Sequence, residues 1–401
     1  MALTMSANSR AEVLAKCKAR YQGRGKQGRG RLLDEVCALC GYERKYANKL
    51  LSGKRIPSGR RSGGPAATYG DEHRAVLKTI WLAAEQPCGK RLVGVVPVWL
   101  PHYEQQHGKL TGTIRRELLT MSAASIDRLL KPCRLQHGAK RRCGTKPGGL
   151  LKQQIAVRCG PWEVTGPGWI EADTVSHCGG SAQGDFVWSV TLTDIHTQWT
   201  ETRAVWNKGA AGVLAAIADI ETQLPFKLRG FDSDNGNEFI NWHLYAYFKQ
   251  RSEVINLTRS REYRKNDNAH VEQKNWSHVR QLTGYDRLDQ PQQAVLLNRL
   301  YTELWNRFRN YFCPVMKLVS KTRDGGKIKR GYDQAQTPFQ RLRHCLGARH
   351  PAIRKLTAEL KALNPFTLKQ QVETGLRAVW RPRTVVSARP TASLQQPFSV
   401  S

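Results

Sequence analysis

With 401 residues, of which 40% are hydrophobic, the chain is long enough for two or three domains with buried cores. This composition excludes a largely disordered protein, and no segment approaches the roughly 20 apolar residues that a membrane-spanning helix needs. The first residues lack the apolar run of a secretory signal, and the ten cysteines are scattered without regular spacing. We therefore expect a cytoplasmic protein with reduced thiols and no membrane partner.

The formal net charge of +32 is concentrated toward the ends of the chain. Residues 1–150 hold 29 Lys and Arg against 10 Asp and Glu, residues 151–345 hold 26 against 20, and residues 346–401 hold 9 against 2. Basic ends favour a polyanionic partner, because each phosphate that Lys or Arg neutralises releases counterions. Nucleic acid is favoured over an anionic membrane surface, since no basic amphipathic helix with an aromatic face is evident.

Residues 1–57 are predicted to form a helix-turn-helix DNA-binding region. Residues 31–40 are predicted to be the first helix, Gly41 the tight turn, and residues 43–51 the second helix. In the second helix, Arg44, Lys45 and Lys49 are candidates for contacts in a major groove. The apolar faces of the two helices are predicted to consist of Leu32, Leu33, Val36, Leu39, Cys40, Tyr46, Leu50 and Leu51.

A Gly-, Ser- and Arg-rich linker is predicted at residues 58–70, followed by a second helical DNA-binding region at residues 71–135. Within that region the spacing predicts a helix over residues 71–85 and a pair of helices over residues 113–120 and 124–130. Ser122 is the expected N-cap of the last helix, and Arg128 within it is a candidate DNA contact. Ordinary helix packing would explain either pair alone, but two basic pairs in tandem favour DNA binding. Residues 136–160 are predicted to be a basic linker.

Residues 161–312 change to an alternation of strands and helices, which predicts an α/β fold. The predicted strands are rich in β-branched and aromatic residues, and the predicted helices carry apolar residues at helical spacing. Strands are expected at residues 168–175, 185–194, 198–206 and 226–232, and helices at residues 210–223, 237–249, from 268 onward and 291–309.

The small basic C-terminal region spans residues 313–380. Asp324-Gly-Gly between residues 317–323 and 327–332 indicates a basic hairpin. Residues 351–363 and 367–380 are predicted to be helical. The Pro- and Ser-rich residues 381–401 are expected to form a disordered tail.

Three acidic residues of the middle region have the positions of a metal site. Asp173 lies inside a predicted strand between apolar residues, where a carboxylate is costly unless it binds a cation. Asp234 directly follows another strand and precedes an Asn-Gly turn, and Glu272 lies near the start of a helix. Carboxylates from adjacent strands and a facing helix can converge into one site that suits Mg²⁺. Two such ions could serve an in-line phosphoryl displacement.

These residues resemble the DDE motif of bacterial insertion-sequence transposases and retroviral integrases. The motif elements are Asp173 in EADTV, Asp234 in FDSDNGNEF and Glu272 in NAHVEQKN, and 37 residues separate the last two. The resemblance covers about residues 165–310, and the helical N-terminal regions and the later YDQAQTPFQRL resemble the flanks of these transposases less specifically. It implies an RNase H-like core at residues 161–312, with a mixed five-stranded sheet and flanking helices.

The resemblance further implies that Asp173, Asp234 and Glu272 bind two Mg²⁺ or Mn²⁺ ions. It implies hydrolysis of a donor strand to a 3′-hydroxyl and attack of that hydroxyl on double-stranded target DNA. A homodimer or higher oligomer on DNA, in the nucleoid of a bacterial cytoplasm, is the expected assembly.

Several neighbours of the triplet leave alternatives open. Asp232 would point the same way as Asp234 and is the second candidate for its role. Glu171 shares a face with Asp173 and either assists the site or lies at its rim. The remaining neighbours have a functional and a structural interpretation each. They are Asp194 (turn cap favoured), His270 (surface residue favoured), Lys274 and Arg280 (DNA contacts or a solvated basic face), and Trp206, Trp242, Trp276 and Trp305 (packing favoured).

No structural zinc is predicted, although retroviral integrases carry an N-terminal His-His-Cys-Cys zinc site. Cys37 and Cys40 form a CxxC pair that is assigned to core packing. Cys133, His137 and Cys143 lie in a Gly-rich basic segment without a fourth ligand.

Two other functions remain compatible with the pattern. One is an RNase H-like nuclease without strand transfer, which would not need two helical DNA-binding regions. The other is a non-enzymatic, sequence-specific DNA-binding protein, such as a catalytically silent or domesticated transposase. The intact carboxylate triplet argues against the second.

Overall fold

The computed structural model describes residues 5–53, 69–135, 156–157, 164–234, 236–260, 269–324 and 327–381. These belong to two compact units, one within residues 1–68 and one within residues 69–401. Most of the two predicted linkers and of the predicted C-terminal tail lies outside the described residues.

The first unit consists of helices α1 (Ala7–Gln22), α2 (Lys26–Cys40) and α3 (Arg44–Leu51). Gly41 adopts the left-handed conformation that ends α2, with φ 66°, so the predicted helix, turn and helix are confirmed as secondary structure. The sequence did not predict α1, which contributes only Cys17 and Tyr21 to the buried core. Leu39 and Tyr46 were predicted to be buried but are exposed. Each lies at the edge of the buried apolar face of its helix.

The second unit opens with four helices: α4 (Asp71–Ala83), α5 (Gly89–His107), α6 (Gly112–Thr120) and α7 (Ala123–Leu135). The Ser122 hydroxyl accepts from the Ser125 amide at 3.1 Å, which confirms the predicted N-cap. Helix α5 was not predicted, because Pro97 and Pro101 lie inside it and proline normally interrupts a helix.

The sheet and its helices follow. They are β1 (Ala156–Val157), β2 (Trp169–Ser176), β3 (Val187–Asp194), β4 (Thr200–Trp206), α8 (Ala210–Gln223), β5 (Gly230–Ser233), α9 (Trp242–Lys249) and β6 (Asn256–Arg259). The strand order is β1-β6-β5-β2-β3-β4. Strands β2, β3 and β4 pair antiparallel, whereas β2, β5, β6 and β1 pair parallel. A mixed α/β fold with a mixed sheet is therefore confirmed. Five strands have four residues or more, and β1 adds a two-residue edge.

Two long helical segments cross the unit after the sheet. The first comprises α10 (Ala269–Lys274), a π-helical stretch (Asn275–Arg280) and α11 (Gln281–Thr283). The second comprises α12 (Pro291–Leu300), a π-helical stretch (Tyr301–Trp305) and α13 (Asn306–Phe312). Both predicted helices are confirmed, and the π-helical turns, which often occur near functional sites, interrupt each of them.

The C-terminal region contains the predicted antiparallel hairpin, β7 (Leu318–Asp324) and β8 (Lys327–Tyr332). Three helices follow: α14 (Pro338–Leu346), which was not predicted, α15 (Pro351–Ala362) and α16 (Pro365–Trp380). These helices share one hydrophobic core with α4–α7, α12 and α13. For example, the Trp99 indole of α5 donates to the Phe312 carbonyl at 2.9 Å, and Gln293 of α12 donates to the Val379 carbonyl at 3.1 Å.

Within the described ranges, no helix combines the length and the apolar character needed to cross a membrane.

Candidate catalytic centre

The pairing of β2 with β5 brings Asp173 and Asp234 to the same edge of the sheet. In this parallel pair Glu171 lies beside Asp232 and Ala172 beside Ser233, so Asp173 and Asp234 occupy the next position along. Asp234 directly follows the last residue of β5, and its Oδ1 accepts from the Gly236 amide at 2.9 Å. A Cβ on Gly236 would lie 2.9 Å from Asp234 Oδ1 and 2.7 Å from the Glu238 carboxyl, so a larger residue here would displace these two carboxylates.

Asp173 is held on both carboxylate oxygens. Its Oδ1 accepts from the Thr174 amide at 2.7 Å, and its Oδ2 accepts from the Asn275 side-chain amide at 2.6 Å. Burial raises the pKa of Asp173 to about 8, and the negative charges of Asp234 and Glu272 contribute to this rise. Burial also raises the pKa of Asp234, with a further contribution from Glu238.

Glu171 positions the helix that carries Glu272. Its carboxylate is buried on β2, and Oε2 accepts from the amides of His270 at 3.0 Å and Val271 at 3.1 Å. These amides belong to the first turn of α10, where a helix has no internal acceptors and favours negative charge. Glu272 follows directly and is exposed. Of the two alternatives for Glu171, the structure favours assistance, because this residue ties the Glu272 helix to the Asp173 strand.

Glu171→Ala is expected to lower the free energy of unfolding by about 1–2 kcal/mol, since two helix-terminal amides lose their acceptor. Hydrogen exchange at the His270 and Val271 amides should accelerate at the same time. Glu171→Gln keeps one acceptor oxygen and should recover most of the loss. Urea unfolding of the three proteins measures the effect, and equal stabilities for all three would contradict this role.

The two other acidic candidates have structural contacts. Asp232 is fully buried in β5 and accepts from the Thr258 hydroxyl of β6 at 2.6 Å, so Asp234 is the better candidate. Asp194 accepts from the Gly168 amide at 2.8 Å and the Thr197 amide at 2.7 Å. This arrangement confirms the predicted turn cap.

Glu238 is a site residue that the sequence analysis missed. It is buried, its Oε1 accepts from the Thr174 hydroxyl at 2.9 Å, and its Oε2 lies 3.5 Å from Lys208 Nζ. Its position four residues after Asp234, inside the same motif segment, is the signal that could have identified it. Lys208 lowers the pKa of Asp234 by its charge, so Lys208 and Glu238 act in opposite directions on that carboxyl.

The donor chemistry of this centre fits a divalent cation. Carboxylate oxygens are the ligands that Mg²⁺ prefers, and a cation stabilises a buried carboxyl such as that of Asp173 in its charged form. In addition, Asn275 Oδ1 is buried and has no hydrogen-bond partner among the described residues. Over these same residues, however, no three His, Cys, Asp or Glu side chains are close enough together to hold an ion.

The predicted DNA contacts near Glu272 are not on an open surface. Lys274 is 1% exposed, and a solvated basic face is therefore wrong for this residue. Arg280 donates to the Ser176 carbonyl at 2.8 Å and lies 4.8 Å from the centre of the Tyr285 ring, which gives it a structural role. His270, expected at the surface, is half-buried, and its Nδ1 lies 3.1 Å from the Gln198 amide nitrogen.

The other predicted DNA contacts are accessible. Arg44, Lys45, Lys49 and Arg128 are exposed, and Arg44 is ion-paired with Asp34 of α2.

The predicted packing roles of the tryptophans and cysteines hold in part. Trp305 is buried as expected, but Trp242 is 56% and Trp276 41% exposed, because each lies on the outer face of its helix. Cys40 packs in the core of the first unit with Cys37 beside it, as predicted, and Cys133 is buried in the second unit. His137 and Cys143 lie outside the described residues.

No protein-family model matches this chain. One solved structure that it resembles is the cryoEM structure of the simian T-cell lymphotropic virus intasome in complex with PP2A regulatory subunit B56 gamma. That match has 10% identity and a TM-score of 0.26, and it covers 45% of this chain and 58% of the other, a similarity too low to assign a fold.

A much stronger similarity links the chain to the uncharacterized protein y4rM of Sinorhizobium fredii (strain NBRC 101917 / NGR234). The two are 38% identical over 348 residues, which is 85% of this chain and 97% of y4rM. The chain therefore belongs to the same protein family as y4rM.

Proposed function

We propose that the chain is a DDE transposase with an RNase H-like catalytic core. It binds the ends of its insertion sequence, cleaves DNA to expose 3′-hydroxyls and joins them to target DNA by metal-dependent transesterification. The observation that carries the proposal is geometric: Asp173 and Asp234 follow neighbouring positions of the paired strands β2 and β5, and Glu171 of β2 binds the first amides of α10, the helix that carries Glu272. Three consecutive antiparallel strands followed by a helix and two parallel strands further support this core.

In the proposed mechanism, Asp173, Asp234 and Glu272 would hold two Mg²⁺ or Mn²⁺ ions. Such ions, when bound, activate the attacking oxygen and stabilise the leaving oxygen of an in-line displacement at phosphorus. The chain orients their ligands. Asn275 and the Thr174 amide hold the Asp173 carboxylate, the Gly236 amide holds Asp234, and Glu171 anchors the helix of Glu272. Preorganisation of this kind reduces the reorganisation that a reaction requires.

DNA binding is assigned to the basic helical regions. In the first unit, α2 and α3 would act as a helix-turn-helix, with the exposed Lys45 and Lys49 one helical turn apart on α3. Arg44 beside them is exposed but already paired with Asp34. In the second unit, the exposed Arg128 of α7 is the candidate contact. Transposition joins two DNA ends at one target, so we propose a homodimer or larger assembly in the bacterial cytoplasm.

Lys45→Gln combined with Lys49→Gln should lower the slope of log binding constant against log salt concentration by about two units. Each substitution removes one phosphate contact and its released counterion. Anisotropy of a labelled duplex at several salt concentrations measures the slope. Arg299→Gln is the matched control, because Arg299 is exposed in the second unit and paired with Glu303. A double variant with the slope of wild type would exclude these lysines from the interface.

The experiment that tests the function uses a labelled duplex that ends in the inverted repeat flanking the gene, an unlabelled target duplex, Mg²⁺ and the full-length chain. Joined strands longer than the substrate are the expected product. Nicked strands without joined products would indicate the nuclease alternative. Specific binding without any cleavage would indicate a catalytically silent DNA-binding protein.

A further inference from the structure

A cavity of about 190 Å³ lies behind the helix that carries Glu272. Its walls come from the α4–α5 connection, from α5, from the segment that begins with α10, and from α13. Three cationic side chains line it, one from each helical segment: Arg91 of α5, Lys274 of α10 and Arg309 of α13.

Lys274 and Arg309 are buried and Arg91 is half-buried, and none of the three basic side chains has a counter-charge among the described residues. Lys274 is 1% and Arg309 6% exposed, and a buried charge is costly unless it is paired. Arg309 Nε has no hydrogen-bond partner, and across the described residues no carboxylate pairs with Arg91, Lys274 or Arg309. Glu85, the carboxylate in the described cavity wall, is already ion-paired with Lys369 of α16. Burial lowers the pKa of Lys274 well below its ordinary value, which favours the neutral amine, whereas the two guanidinium groups stay charged. The uncompensated positive charge of the cavity is therefore that of Arg91 and Arg309.

Arg91 and Arg309 line the same cavity. Burial lowers the pKa of Arg91, and the charge of Arg309 lowers it further. Two guanidinium groups and the Lys274 amine line this small space. The guanidinium groups can donate two parallel hydrogen bonds and the amine a single one, and donors of this kind recognise phosphate oxygens. The side-chain amides of Gln273 and Gln281, also in the wall, offer neutral donors.

We propose that this cavity is an oxyanion site that binds one phosphate group. Its volume exceeds that of several water molecules, at about 30 Å³ each, but it cannot admit a duplex. The guanidinium groups of Arg91 and Arg309, beside a Glu85 that is already paired with Lys369, balance the two charges of a dianion, which favours inorganic phosphate or a phosphate monoester over an internal phosphodiester. The source is either free phosphate or the terminal phosphate of a DNA strand.

A bound phosphate would join α5, α13 and the end of α10. Lys274 lies two residues after Glu272, so the anion would fix the helix on which Glu272 is presented. This last consequence rests on the proposed function, whereas the anion site itself does not.

Calorimetric titration of the full-length chain with inorganic phosphate, at ionic strength held constant with chloride, tests the site. Wild type is expected to show one saturable site, and Arg91→Gln and Arg309→Gln should weaken it at least about tenfold. The matched control, Arg299→Gln, removes an exposed arginine paired with Glu303 and should bind as wild type. Equal binding by all four proteins, or no saturable heat with wild type, would overturn the proposal.

If Arg309→Gln does not fold, Arg91→Gln decides, because Arg91 is only half-buried. Competition by 5′-phosphorylated but not by 5′-hydroxyl oligonucleotides would identify a strand end as the source, and absence of competition would identify free phosphate. Asp234→Asn should bind phosphate as wild type does, so failure of the proposed catalysis and failure of this site are distinguishable.

Discussion

Asp173→Asn, Asp234→Asn and Glu272→Gln are each expected to lower strand cleavage and joining by about a thousandfold or more. Each change removes a negative charge from the proposed metal ligands. Each loss of about 1.36 kcal/mol of transition-state stabilisation lowers the rate tenfold, so a loss of several kcal/mol gives an effect of this size. DNA binding should be unchanged or slightly tighter, because a negative charge is removed from a DNA-facing site. Gel analysis of labelled strands and anisotropy measure the two properties separately.

Asp286→Asn is the matched control for these variants, because Asp286 is exposed and lies outside the candidate centre. It should retain the activity of wild type. Full activity in Asp234→Asn, or an equal loss in Asp286→Asn, would contradict the assignment of the catalytic carboxylates.

Without divalent metal ions, Asp173→Asn should be more stable than wild type at about pH 8, by roughly 1–3 kcal/mol. The folded-state pKa of Asp173 is raised to about 8, above the unfolded value of about 3.9. Between these values the folded carboxyl keeps its proton and the unfolded carboxyl does not. Folding therefore takes up a proton, and the stability of wild type falls as the pH rises through this window. The amide of Asn cannot ionise and avoids this loss.

Urea unfolding of both proteins in EDTA, at about pH 4 and about pH 8, measures this difference. The gap between variant and wild type should widen with pH, and comparison of the two proteins cancels the titration of all other groups. A gap that is constant with pH, or a variant less stable at about pH 8, would show that burial and charge do not perturb Asp173 in this way.

The elements with strong local patterns could be predicted from the sequence. Strand β3 is buried along its whole length and rich in β-branched residues, and α8 repeats apolar residues at helical spacing. Helix α5 was missed because its internal prolines oppose a helix locally, while burial of Trp99 stabilises it in the tertiary structure. Strand β6 was missed because Asn256–Arg259 is short and polar. Periodicity also shows that a face is buried but not what covers it, so the core shared by α5, α12 and α16 could not be foreseen.

The residues of the candidate centre likewise include some that the sequence predicts and some that it does not. Asp173, Asp234 and Glu272 could be identified because their positions relative to strand ends and a helix start are local properties. The contacts of Glu171 with the His270 and Val271 amides span about 100 residues of sequence, and no local pattern reports them. The burial of Lys274 likewise depends on α5 and α13, which lie far away in the sequence.

Binding of Mn²⁺ to the metal-free chain near pH 8, followed by the loss of the free-ion electron paramagnetic resonance signal, tests the proposed metal centre most directly. A chain with a net charge of +32 has little unspecific affinity for cations, so the background should be low. Wild type and Asp286→Asn should show saturable binding that weakens toward acidic pH as Asp173 takes up its proton. Asp173→Asn and Asp234→Asn should lose most of it. Binding by these two variants equal to that of wild type, or no saturable binding by wild type, would contradict a metal centre at these carboxylates.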